Sequence, residues 1–239
     1  MALASWAEGF RRALPITLGY VTVGFAFGVL AVKNNIPPSL CVAMALLMFS
    51  GSGQFVFAAL WGAGASLLSL TAAVGIVNLR YLLMSAAESP WLTPFSRFKR
   101  FLLGLGLTDE TFAVHITSMQ AGEPPNLAVM FVCNCSTHIA WISGCAIGAY
   151  FGGLVDDVRP LGLDFAITAM FLALLVPQCS SRLHFLVAIF TLCLSVALKC
   201  QGMSQWNIAL ATIAGATLGL LCSLHKKPAK IAVDEDEIP

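Results

Sequence analysis

Phe49-Ser50-Gly51-Ser52-Gly53-Gln54-Phe55 interrupts an apolar run that spans about 39–61. Two glycines weaken a helix, and serine side chains can satisfy backbone groups that a break sets free. The flanking residues are apolar enough for lipid depth, where a Gln is costly unless it faces protein, water or a ligand. Asn78-Leu79-Arg80-Tyr81 interrupts the next apolar run, at about 65–87, in the same way. Together the two interruptions specify a helical membrane protein with a polar path or site inside it.

Composition bounds the class. Of 239 residues, 58% are hydrophobic and only 10% charged, and mean hydropathy is +0.84. Soluble domains carry about a quarter charged residues, so the reading is an all-α, polytopic helical membrane protein. The apolar runs are continuous and lack the alternation of a barrel strand. A net charge of +1 with no basic stripe argues against nucleic acid as a partner. The eight cysteines sit almost entirely within apolar runs, as small hydrophobes do, so a disulfide framework is not expected. Residues 1–224 read as a single transmembrane permease domain, and 225–239 as a charged, disordered tail. Arg11 and Arg12 precede a first span at 14–32, which is too long for a signal-peptide core.

Eight apolar segments fall at about 14–32, 39–61, 65–87, 101–119, 126–151, 161–178, 183–199 and 204–224, divided by Asn-, Pro-, Gly- and Asp-rich separators. Residues 92–100, short, basic and aromatic, suit an interfacial stretch. Three basic clusters, Arg11/Arg12, Arg97/Lys99/Arg100 and Lys226/Lys227/Lys230, should all be cytoplasmic. Counting every segment as a full span places three between the first two clusters and five between the last two, so parity fails twice. A broken hairpin at 39–61 that enters and leaves on one side removes the first conflict, and a matching one at 161–180 removes the second. Gly24-x-x-x-Gly28 and Gly144-x-x-x-Gly148 each precede such a segment, which suggests an inverted repeat of the transporter type. Small-xxx-small pairs are also ordinary packing devices, and that reading stays open.

A break at Ser50, Gly51, Ser52, Gly53 and Gln54 leaves a half-helix N-terminus whose N–H groups and dipole attract a carboxylate. Gln54 adds an amide for a zwitterion, or a hydrogen bond to a neighbouring helix. Arg80, with Asn78, either holds a carboxylate in its fork or pins its helix through an ion pair. Thr108-Asp109-Glu110-Thr111 lies mid-segment. Asp109 and Glu110 there are proton-coupling candidates, while Thr108 before two acids also reads as a helix cap near the surface. Cys133 and Cys135 point roughly 200° apart on a helix, so with His138 they form no metal site. Asn134 reads as an interhelical hydrogen-bonding group or a pore lining, and His115 and His184 as interior or interface histidines. No cofactor is expected.

These residues in this order resemble the AzlC family, the large subunit of bacterial branched-chain amino acid exporters. The likeness runs from about residue 5 to 224. It is carried by Gly9-Phe10-Arg11 with Pro15, Gly24 to Gly28, Ser50 to Phe55, Asn78 to Tyr81, Thr108 to Phe112, and Asn134 with Trp141, Gly144 and Gly148. The resemblance implies a multi-pass permease of the bacterial inner membrane that expels valine, leucine, isoleucine and also methionine. It further implies proton coupling and pairing with a small hydrophobic AzlD-type subunit. The rival readings are a channel-like facilitator for small neutral solutes and a membrane scaffold subunit. An enzyme is disfavoured, since neither a His-Glu-x-x-His nor a Gly-x-Ser-x-Gly motif is present.

Overall fold

The computed structural model describes residues 2–154, 172, 179, 181–202 and 207–225. Among them the chain forms nine α-helices, one turn of 3-10 helix and no strand. Contacts divide it into two compact units, Met1–Leu172 and Ala173–Pro239, each taken by itself.

The first unit contains α1 (Ala2–Lys33), α2 (Pro38–Leu47), α3 (Gly51–Gly62), α4 (Leu67–Glu88), α5 (Arg97–Leu105), α6 (Asp109–Gln120) and α7 (Leu127–Phe151). Of these, α1, α4 and α7 are long and apolar enough to cross a membrane. The second unit contains α8 (Arg182–Cys200) and α9 (Asn207–His225), of which α8 is long and apolar enough. They form an antiparallel pair in which Gly215 meets Thr191, Gly219 meets Val187, and buried Asn207 bonds back to Ser195 at 3.3 Å.

The tightest packing is α1 against α7, and glycine sets it. A Cβ on Gly144 would stand 2.5 Å from the Val21 carbonyl oxygen, and one on Gly24 would stand 2.9 Å from that of Trp141. Only bare backbone fits there, which is how helices approach closely where lipid supplies no hydrophobic drive. Gly9 meets Val129, Val21 meets Gly144 and Val29 meets Gly152, so the two helices run in the same direction. This corrects the expectation that the Gly24 and Gly144 segments are inverted counterparts.

Between these helices the chain dips twice. From Pro38, α2 runs opposite to α7, with Cys41 and Ala45 in one buried cluster with Trp141 and Cys145, and with the Ala45 carbonyl accepting from His138 at 3.0 Å. The chain then breaks at 48–50 and returns as α3 alongside α1. Phe55 meets Phe27 edge-on at 5.3 Å, and Gly62 arrives against Asn34. Segment 39–61 is therefore a re-entrant hairpin, as the charge parity required. Its fully buried core is Phe27, Ala31, Cys41, Ala45, Phe55 and Ala58.

The second dip falls where a continuous span was expected. Segment 101–119 divides at Gly106 into α5 and α6. Leu92 and Leu103 pack on Met130 near the start of α7, beside Phe95 and Leu127. The chain climbs until Gly106 presses on Asn134 and Thr108 meets Tyr20. It then descends along α1 until Ser118 and Glu123 reach Arg12. This hairpin enters and leaves on the face that holds Arg11, Arg12, Arg97, Lys99 and Arg100, called the basic face below. The physical reason is local: Gly104 and Gly106 weaken the helix, and Thr108 restarts it. The Thr108 hydroxyl accepts from the Thr111 N–H at 3.3 Å, and the Thr111 hydroxyl accepts from the Thr108 N–H at 2.8 Å. With 101–119 no longer counted as a span, four apolar segments remain between the second and third basic clusters, so the charge count no longer asks for a hairpin at 161–180. Apart from 172 and 179, that segment lies outside the described residues.

An inverted relation does exist, between other segments. Hairpin α2–α3 from one face is followed by α4, and hairpin α5–α6 from the other is followed by α7. Asn78 of α4 packs on the first tip at Gly53, and Asn134 of α7 packs on the second at Gly106, donating to the Leu103 carbonyl at 3.0 Å.

The cap of the second tip makes a direct expectation. Thr108→Ala loses one N-cap bond, worth about 1 kcal/mol, and lowers the unfolding midpoint of the purified protein by about 3 °C. Thr108→Ser restores it. Unfolding curves of the three proteins check this, and an unchanged midpoint in the alanine variant would remove the cap from the account.

Candidate functional site

The two hairpin tips end at the same depth, and side chains from α1, α3, α4 and α6 meet there. Ser50 caps α3: its hydroxyl accepts from the Gly53 N–H at 3.2 Å and donates to Asn78 Oδ1 at 2.6 Å. Two residues on, the Ser52 hydroxyl accepts from Arg80 Nη2 at 2.5 Å. The other arm of the same guanidinium, Nη1, pairs with Asp109 Oδ2 at 2.7 Å. Arg80 thus ties the first turn of α3 to the first turn of α6, two helix N-termini from hairpins of opposite entry. Its guanidinium lies 5.1 Å over the Tyr81 ring, a cation–π distance. Arg80 Nε has no hydrogen-bond partner among the described residues.

Glu110, next to Asp109, accepts from the Tyr20 hydroxyl, which also stands 2.8 Å from Thr108 Oγ1. Tyr20 packs edge-on against Phe49 and Trp141, at 6.0 and 5.6 Å between ring centroids. Side-chain exposure is 26% at Arg80 and 20% at Asp109, so this pair is half-open, whereas Ser50 and Ser52 are buried.

Gln54 sits apart from this centre in chemistry, though close in sequence. It is fully buried. Its amide nitrogen donates to the carbonyls of Met44 at 2.9 Å and Met48 at 2.6 Å, and its oxygen accepts from the Trp141 indole at 3.0 Å. Both amide protons are committed to the end of α2, so Gln54 splints the break between α2 and α3.

Of the residues singled out in the sequence, Ser50, Ser52, Asn78, Arg80, Asp109 and Glu110 come together, with Gly51 and Gly53 supplying the tight first turn of α3. Gly53 lies against the Ser50 and Asn78 side chains and Gly51 against the Trp141 ring. Arg80 and Asp109 are the ion pair that the sequence left open. Thr108 does cap a helix, but at the buried tip and not at the surface. Asn134 makes the interhelical bond expected of it. Two participants, Tyr20 and Trp141, carry no chemical signal in the sequence, and neither does a buried pair that lies outside this centre, Glu88–His115. An aromatic in an apolar helix looks like packing, and the Glu88–His115 contact joins residues 27 apart.

The sequence profile described as "AzlC protein" matches residues 15–155. The chain belongs to the AzlC family. Its relatives include the "Inner membrane protein YgaZ" of Escherichia coli strain K12, 28% identical and covering 92% of this chain and 90% of that protein. The "Branched-chain amino acid transport protein AzlC" of Bacillus subtilis strain 168 is 29% identical, covering 96% and 89%. An "Uncharacterized membrane protein" of Archaeoglobus fulgidus is 30% identical, covering 90% and 94%. No solved structure matches at a significant level. The matched profile covers both hairpin tips and Arg80, and the AzlC-family chain is a multi-pass helical membrane protein whose named relatives are likewise membrane or transport proteins.

Proposed function

We propose that this AzlC-family chain is a secondary transporter that exports branched-chain amino acids, with Arg80 and the two hairpin tips as its zwitterion site. One observation carries the reading: two helix N-termini, from hairpins of opposite entry, meet across a single half-open Arg80–Asp109 pair. A zwitterion brings both charges that this pair presents in reverse. Its carboxylate replaces Asp109 at the Arg80 fork, with the N-terminus of α3, Ser50, Ser52 and Asn78 around it. Its ammonium takes Asp109 and Glu110. Discontinuous helices whose N-termini face an anionic substrate group at mid-membrane are the geometry of such sites. The same carboxylates, released from the guanidinium or from Tyr20, carry the coupling proton. Gln54 acts through the shape of the break and makes no substrate contact.

The apolar side chains of valine, leucine, isoleucine and methionine suit the surrounding aromatic and aliphatic residues, and the named Bacillus relative supports that class. A small hydrophobic AzlD-type subunit completes the transporter; the lipid-facing side of α4, with Leu79, Leu82 and Leu83 exposed, is available to such a partner or to lipid.

Efflux of labelled leucine and valine from cells with and without this chain, each with and without the small subunit, tests the proposal. Faster, saturable efflux with the pair present is expected. Equal efflux in all four would sink the exporter, and flux that never saturates would favour the facilitator.

A further inference from the structure

The polar centre leaves one buried ionisable pair unused. Glu88 closes α4 and His115 lies on the inner side of α6, and they are only 4% and 5% exposed. His115 Nδ1 stands 3.0 Å from Glu88 Oε1. The opposite ring nitrogen, Nε2, is buried and has no hydrogen-bond partner among the described residues. A buried ring nitrogen left unbonded is costly and asks for a reason. His115 lines a cavity of about 40 Å³, together with Arg12, Ser118, Glu123, Asn126 and Cys133 among others. A water needs roughly 10–15 Å³, so the cavity has room for about three.

The cavity lies toward the basic face. Arg12 closes it there, bonded to Ser118 at 2.5 Å, to Glu123 at 2.7 Å and to Glu8 at 2.6 Å. A shallow groove with Glu8, Arg11, Arg12, Ser118 and Glu123 in its wall continues outward. The ionisable groups around His115 are therefore Glu88 from α4, Arg12 from α1, Glu123 from the α6–α7 loop and Cys133 from α7. Among the described residues, Glu88 is the one that hydrogen-bonds the ring.

We infer that the Glu88–His115 pair is a proton-binding station that opens to the basic face through this cavity. The protonated imidazole faces the Glu88 carboxylate as an ion pair. Loss of the Nε2 proton to a cavity water leaves neutral imidazole donating from Nδ1 to Glu88, and a hydronium ion moves out past Arg12. Uptake is the reverse, and no other reactant is needed. Neutralised on one side and wetted on the other, the ring can change charge without exposing a bare charge to lipid.

The station's position gives it a role. Arg80 to Glu88 is eight residues along α4 and Asp109 to His115 is six along α6, so the pair lies about 9–12 Å beyond the zwitterion site. It is the exit for protons that Asp109 or Glu110 releases toward the basic face. That role rests on the transport reading, whereas proton binding itself does not.

Two measurements separate them. In the first, His138, His184 and His225 are replaced by Gln in the full chain, so that an isotope-labelled imidazole signal reports His115 alone. In lipid nanodiscs it should gain and lose a proton as pH is changed, and Glu88→Gln should weaken that proton binding. A ring that holds one protonation state throughout, or proton binding indifferent to Glu88→Gln, overturns the station. If the three-histidine replacement fails to fold, the wild-type chain and His115→Gln are compared, and the resonance that vanishes is followed instead.

The second is transport in liposomes. His115→Gln and Glu88→Gln should keep exchange of labelled for unlabelled valine at equal pH within about twofold, while pH-gradient-driven flux falls about tenfold, near 1.4 kcal/mol. Equal loss in both modes, or in neither, overturns the exit role. Wild-type chain without any valine flux would fail the transport reading while leaving the titration to judge the station.

Discussion

Replacing Arg80 by Gln should abolish leucine efflux, by about a hundredfold or more, and should also weaken the fold. The substitution strands Asp109 at lipid depth with no counter-charge and frees Ser52. Breaking a buried ion pair by removing one partner costs about 3–5 kcal/mol. Here the side chains keep 26% and 20% of their surface, so water and neighbours soften the loss toward about 2–3 kcal/mol. Asp109→Asn alone strands Arg80, which retains Ser52 and the Tyr81 face, so its cost in stability is smaller. The double variant leaves neither charge unpaired and should recover most of the unfolding midpoint, a coupling that single variants cannot reveal. Efflux should not return with it, because the double variant lacks both halves of a zwitterion's complement. Lys in place of Arg80 should give intermediate stability and poor transport: an ammonium offers no fork to reach Ser52 and Asp109 at once. Unfolding midpoints and labelled-leucine efflux on these four variants provide the check. A double variant that transports like the wild type would make Arg80–Asp109 a structural pin only.

How much of this could be seen in the chain itself depends on the range of the signal. The Ser50–Gln54 break is local: glycines and serines at lipid depth declare it, and the positive clusters give its direction because parity is a sum over whole spans. The second break has an equally local mark in Thr108, yet apolar residues flank it on both sides, Phe101 to Leu107 and Phe112 to Val114, so hydropathy joined α5 and α6 into one segment. Gly24/Gly28 and Gly144/Gly148 show the opposite failure. Similar motifs suggested two related helices, but the similarity reflects their mutual contact, since each must be bare for the other to approach. Tyr20, Trp141 and Glu88–His115 depend on which helices meet, and no spacing along the chain encodes that.

Gln54 tests the division of labour within the first tip, and its expected result is a large loss of stability with substrate affinity nearly intact. Gln54→Leu keeps most of the volume but leaves the Trp141 indole N–H buried without an acceptor, at about 1–3 kcal/mol. The Met44 and Met48 carbonyls still accept from the Met48 and Ser50 N–H groups at 2.8 Å each, so they lose only a second bond. Gln54→Ala adds the cavity left by the removed atoms, for a total of about 3–4 kcal/mol and an unfolding midpoint lower by about 10 °C. Trp141→Phe in the Gln54→Leu background removes the stranded donor, so the pair should cost less than the sum of the two singles. Gln54→Glu is the most severe of the polar changes, since an ionised carboxylate would face two carbonyl oxygens to which it can donate nothing. A contact with the zwitterion would show the reverse signature: a raised half-saturation concentration for leucine with an unmoved unfolding midpoint. The two signatures differ because a splint acts on the angle between α2 and α3, through which the N-terminus of α3 is aimed at Arg80. Its loss therefore lowers the unfolding midpoint, and while most molecules still hold the tip together leucine half-saturates them as before.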